Sequence, residues 1–177
     1  MDCCTEEKRD GATRRVTLSF LRSELVYDIS NIAYVESHVM QPGEEHARHM
    51  VADVCEAGNA DRVTRVLDLG VSLCREMLYP WSKRAIAKAE YDDALRERGL
   101  YQIEMDVPGA LSQTTLTLLE RLIHEYLVCR GVADWLSVTS PGKSEAWYAK
   151  ASEAEGEIRV AIHSRMSRRR IRQHFLD

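Results

Sequence analysis

LSQTTLTLLERLIHEYLVCRGVADWLSV, residues 111–138, decides the fold. Leu116, Leu119, Leu122, Ile123, Tyr126, Leu127, Ala133 and Leu136 recur at steps of three and four, with Trp135 beside them. An apolar face that wide belongs to a central core helix, not to one that merely rests on a surface. Ser140-Pro141-Gly142 breaks the pattern, and from about Ser144 a second helix follows, with Trp147, Ala151, Ala154, Ile158, Ile162 and Met166 on one stripe. Just before the central helix the period changes from 3.6 to two. Tyr101, Ile103, Met105 and Val107 alternate with Gln102, Glu104 and Asp106 ahead of Pro108-Gly109, the pattern of a strand with one buried face. Such a strand needs a partner. Val16–Phe20, something within 81–99, or a strand from another copy can supply it.

Upstream, residues 1–13 hold few core-forming side chains and read as a flexible leader. Arg14–Phe20 alternates at Val16, Leu18 and Phe20 and is either a short strand or the first turn of the next helix. Leu21, Leu25, Ile29, Ile32 and Val39 then place a stripe on a helix that Pro42-Gly43 ends. A second helix is expected over about 44–57, around Ala47, Met50, Val51 and Val54. A third, capped by Asn59 or Asp61 and closed by Pro80, carries Val63, Val66, Leu67, Leu73, Met77 and Leu78. Gly70 in its middle costs about 1 kcal/mol against Ala, so a close helix contact is expected there. Leu78-Tyr79-Pro80-Trp81 puts two aromatics at a helix exit, where plugging a core edge is the commoner role. Residues 81–99 read either as a thinly striped surface helix or as a charged excursion. The fold class is mainly α: a helical bundle of five to six helices with one or two short β-strands. One helical domain over 14–166 is expected, ending in a basic tail at 167–177.

The chain has 177 residues, 45% hydrophobic and 29% charged, an ordinary globular composition that excludes wholesale disorder. Its net charge of −4 is unevenly spread. The last twenty residues carry six Arg and one acid, a net of +5, and the other 157 carry a net of −9. A basic end on an acidic body indicates a phosphate or carboxylate surface for that end, on a partner, on a neighbouring copy or on the chain's own body. Five cysteines without CxxC spacing, three of them (Cys55, Cys74, Cys129) within apolar patterns, fit a reducing cytoplasm. No apolar run is long enough for a membrane span, no secretory h-region opens the chain, and no membrane partner is expected.

Chemistry-bearing patterns are sparse. His46, His49 and Asp53 stand at i, i+3 and i+7, within about 60° of arc on a helix, and imidazole with carboxylate suits zinc, iron or manganese. The trio flanks the apolar face, so a solvated helix edge is preferred over a metal-dependent helical-bundle enzyme. No Glu-x-x-His pair, G-x-S-x-G elbow or phosphate loop occurs. No catalytic residue and no cofactor are expected. Arg165, Arg168, Arg169, Arg170 and Arg172, interleaved with Ile171 and Phe175, are the candidate partner-binding residues. Arg mixed with apolar side chains suits a protein interface, and clustered Arg suits nucleic-acid phosphates.

ADRVTRVLDLGVSLCREMLYPW, YQIEMDVPGALSQTTLTLLERLIHEYLVCRGVADWL and the Arg-rich end resemble small prophage-type proteins of Bacteroides, products of phage structural operons. The resemblance covers about half of the chain and brings no active-site residue. It implies a head–tail connector or neck-like component that works as a ring, with the strand Tyr101, Ile103, Met105 and Val107 and the tail touching neighbouring subunits. The expected function is therefore a non-enzymatic structural or adaptor protein acting by assembly, as a homo-oligomer or with other structural proteins. Cytoplasm or a phage-like particle is its expected location. The alternatives are a nucleic-acid-associated protein using the tail and a metal enzyme using His46, His49 and Asp53.

Overall fold

A computed structural model describes residues 13–40, 45–86, 99–109 and 111–163. Among these residues the chain forms six helices and two strands. The strands are β1 (Thr13–Leu21) and β2 (Leu100–Pro108). The helices are α1 (Arg22–His38), α2 (Glu45–Ala52), α3 (Ala57–Met77), α4 (Tyr79–Ile86), α5 (Gln113–Thr139) and α6 (Pro141–His163). This is the mainly α bundle with a short β pair that the patterning predicts.

α5 is the axis. Ser112 caps it, its side chain accepting the Thr115 N–H. From Tyr126 to Leu136 every residue except Arg130 and Asp134 is buried, because α1, α2, α3 and α6 all pack on this helix. α6 starts one residue after α5 ends, with Pro141 in its first turn, and returns along α5 through Ala151, Ala154, Ile158 and Ile162. Met166, expected on the same stripe, lies outside the described residues.

Two glycines set how closely α5 is approached. A Cβ at Gly131 would stand 2.5 Å from Ile29 Cδ1 on α1, and one at Gly70 would stand 2.7 Å from Leu127 Cδ2. The close helix contact expected at Gly70 is present, and α1 makes a second at Gly131.

β1 and β2 form one antiparallel pair in which Phe20 faces Tyr101, Leu18 faces Ile103 and Val16 faces Met105. The register puts the apolar members on one face and Arg15–Asp106, Thr17–Glu104 and Ser19–Gln102 on the other. Arg15 Nε bonds Asp106 Oδ1 at 3.2 Å across the strands. Arg14–Phe20 is thus strand, not helix. Tyr101, Ile103, Met105 and Val107 are each at most 2% exposed. Their partner is β1 of the same chain, and their side chains fill the core; they are not a contact surface for a neighbouring subunit.

Other boundaries differ from expectation for physical reasons. α2 stops at Ala52, not Ala57, and Glu56 occupies the N-cap of α3. Asn59 therefore lies inside α3, and its amide donates to the Asp53 carbonyl at 2.7 Å, tying the α2–α3 turn instead of capping a helix. Pro80 does not close α3, which ends at Met77; it sits in the first turn of α4, where its missing N–H costs nothing. Leu78 is buried and Trp81 packs partly against the core, so of the two aromatics Trp81 plugs the core edge while Tyr79 is 49% exposed. On α1 the buried positions are Leu25, Ile29, Ala33 and Ser37, while Leu21 and Val39 are exposed.

Gly131→Ala is expected to destabilise the protein by about 1–3 kcal/mol through overpacking against Ile29, despite the gain in helix propensity. Ile29→Val removes the clashing methyl, so denaturant titration of the four-member double-mutant cycle should show positive coupling. Additive effects would place the strain elsewhere.

Candidate functional site

α1 buries one side against α2, α5 and β1, and among the described residues the other side is exposed. Tyr27, Asn31, Tyr34 and His38 follow at steps of four, three and four and share that outer side. Tyr27 is 69%, Tyr34 55%, Val35 55% and Val39 72% exposed. Tyr27 and Tyr34 are about 10 Å apart along the axis. The His38 ring lies on Tyr34, centroids 4.2 Å apart, and its Nδ1 is 2.9 Å from the Tyr34 carbonyl. The full charges on this side are Glu24, which is exposed, and Asp28, whose side chain is 43% exposed and is met by His124. Tyrosine-rich, charge-poor and solvent-facing is the make-up of a protein-binding surface.

This face is held at both ends. At the N-terminal end Asp28 Oδ2 meets His124 Nε2 of α5 at 2.7 Å, in an open depression lined also by Ser23, Glu24 and Tyr27. At the C-terminal end the last carbonyls of α1 are satisfied by cations. Arg48 of α2 donates to Ser37 O and His38 O, and Lys143 of α6 donates to Glu36 O. Lys143 also meets Glu36 Oε2 at 2.8 Å, and the Trp147 indole donates to Oε1 at 3.2 Å. The Lys143 bond holds the Glu36 carboxyl below the usual carboxylate range, against the opposing effect of burial, with Trp147 helping. On the far side Trp135 Nε1 donates to Val51 O at 2.8 Å and pins α2 to α5.

His46 and His49 are exposed on α2, and Asp53 lies beyond its last helical residue. The shared arc assumed a helix through residue 57. Among the described residues no group of three or more His, Cys, Asp or Glu is placed to hold a metal ion. Arg165, Arg168, Arg169, Arg170, Ile171, Arg172 and Phe175 lie outside the described residues. No helix among the described residues is long and apolar enough to cross a membrane.

Two of the three described cysteines are structural. Cys74 and Cys129 are fully buried, and burial pushes both thiols up to about 12, with Glu125 adding to the effect at Cys129. They stay protonated and unreactive at neutral pH. Cys55, read in the sequence as part of an apolar pattern, is exposed because α2 ends before reaching it.

The outer face of α1 escaped the sequence reading because periodicity selects one stripe per helix. Tyr27 and Asn31 lie between the apolar positions of that stripe. The spacing of Tyr27, Asn31, Tyr34 and His38 was the available signal. No known family, curated protein or solved structure matches the chain.

The Glu36 clamp stabilises the fold above the unfolded carboxylate pKa, and that contribution is lost as pH falls through the lowered folded value. Thermal melts from pH 7 to pH 3 should show Glu36→Gln less stable at neutral pH and converging on wild type in acid; parallel curves would contradict the clamp. Alkylation with iodoacetamide, read by mass spectrometry, should modify Cys55 in the native protein and reach Cys74 and Cys129 only after denaturation.

Proposed function

We propose that the protein acts by binding, as a structural or adaptor component that assembles through the outer face of α1 onto a second copy of the chain. The observation that carries this is the row Tyr27, Tyr34, Val35 and Val39, half or more exposed on a helix whose backbone end is fixed by three cationic contacts. A rigid aromatic surface loses little side-chain entropy on docking.

Charge restricts where two copies of the chain can meet. The first 157 residues carry a net of −9, so two bodies repel over most orientations. The α1 face carries two acids, Glu24 and the Asp28 that His124 meets, and its tyrosines and valines offer a contact that is otherwise uncharged. The basic end at net +5 is then available to an acidic neighbouring body. The connector-like ring, and with it a place in a prophage-type particle, rests on the sequence resemblance and is proposed in the same sense. A reducing compartment suits the free Cys55, Cys74 and Cys129.

The second reading uses the same basic end on nucleic acid. Its support is the clustering of Arg165, Arg168, Arg169, Arg170 and Arg172, which would confer salt-dependent, sequence-independent binding.

Size-exclusion chromatography with light scattering separates these readings. The full chain should run as a dimer or ring at high micromolar concentration. Tyr27→Ala with Tyr34→Ala should weaken association at least about 30-fold, the roughly 2 kcal/mol of a hot-spot pair. A monomer at every concentration overturns assembly. DNA retention at low salt that is lost from a chain ending at Ser164 would establish the nucleic-acid reading in its place.

A further inference from the structure

The buried stretch of α5 contains one acid and one base, and they are treated differently. Asp134 is matched by Arg62 Nε at 2.7 Å. Arg130 is half-buried, makes no ion pair among the described residues, and bonds through Nη1 to the Tyr126 hydroxyl at 3.2 Å. Guanidinium has five N–H donors and does not deprotonate, so most of its hydrogen-bonding capacity is uncommitted.

The local packing aims that capacity at a groove. Arg130 Cδ lies 3.7 Å from where a Gly70 Cβ would stand, so the stem crosses α3 at its glycine. Beyond it, Leu73 and Met77 of α3 wall a groove of about 230 Å³ that Tyr126 and Arg130 share. Arg159 and Glu155 of α6 line the opposite side and bond to each other at 2.8 Å. Glu76 stands exposed on the α3 wall. Burial pushes the Tyr126 hydroxyl up and the Arg130 charge pulls against it, so the two groups feel each other in a partly dry setting.

We infer that this groove binds a small monocarboxylate with a short apolar chain, the carboxylate on the Arg130 fork beside the Tyr126 hydroxyl and the chain along Leu73 and Met77. A planar carboxylate fits the two-pronged guanidinium. The apolar wall excludes a fully hydrated ion, and the carboxylates of Glu76 and Glu155 disfavour a doubly charged one such as phosphate. The volume is below the usual 300–1,000 Å³ of drug-sized sites, which selects a ligand of few atoms. This inference is independent of the α1 face.

The test is ligand-observed NMR on the full chain with hexanoate, 1-hexanol and inorganic phosphate as probes. Hexanoate should bind in the range of about 1 mM, as expected for so few atoms, and both 1-hexanol and phosphate at least tenfold more weakly. Arg130→Gln should weaken hexanoate at least tenfold. Arg130→Lys, which keeps the stem and the charge but loses the fork, should weaken it several-fold and guards against a folding defect in the first variant. Glu76→Gln should tighten it. Equal binding of 1-hexanol, equal binding of phosphate, no hexanoate binding at 10 mM or about tenfold above the expected constant, or hexanoate binding unchanged in Arg130→Lys would each overturn the proposal.

Discussion

Everything in this fold depends on covering α5. A helix that is apolar around most of its circumference cannot rest on one neighbour, and between Tyr126 and Leu136 four other helices are needed to remove it from water. Four helices cannot all approach at the ordinary 8–10 Å unless some side chains are small. Gly131 admits Ile29 of α1 and Gly70 admits Leu127 toward α3. Close packing at these two points sets the depth at which α1 and α3 sit, and with it which residues are left outside.

The sheet is secondary to that arrangement. A two-stranded ribbon is marginal alone, and here one face of it is closed by the bundle while Arg15 and Asp106 bridge the other. β1 leads directly into α1, and β2 leads through a short turn to α5. The pairing is antiparallel, with Leu21 facing Leu100 and Thr13 facing Pro108, so it anchors the start of α1 at one end of the ribbon and sends the chain toward α5 from the other.

How far this was legible follows from where the deciding force is local. The breadth of the 111–138 stripe, the alternation at Tyr101–Val107 and the cost of a mid-helix Gly70 are all encoded within a few turns of chain, and they gave the fold class, β2 and one helix contact. The partner of β2 was not decidable locally, because Val16, Leu18 and Phe20 obey period two and also begin a helical stripe; the match with Met105, Ile103 and Tyr101 across the sheet decides it. Caps misled for the same reason. Asn59 is a good N-cap residue, but the Asp53 carbonyl offered its side chain a better-placed partner, and the helix began at Ala57. The His46–His49–Asp53 arc failed with the length of α2. The Arg130 groove had no sequence signal, because an arginine inside an apolar stripe reads as a gap in it.

The placement of exposed groups is then a consequence of packing, and this is where structure bears on function. α1 has apolar and aromatic residues on more than one side, and a helix of that kind cannot satisfy all of them within a single small domain. Ile29 at the Gly131 contact fixes its rotation about its axis. Once that is fixed, Tyr27, Tyr34 and Val35 must point outward, and neither a shift along α5 nor a turn about the axis can bury them without withdrawing Leu25 and Ile29 from the core. The cationic contacts from Arg48 and Lys143 close off the remaining freedom at the C-terminal end. Their exposure is thus not slack in the packing. It is what remains when the core of the described residues is satisfied first.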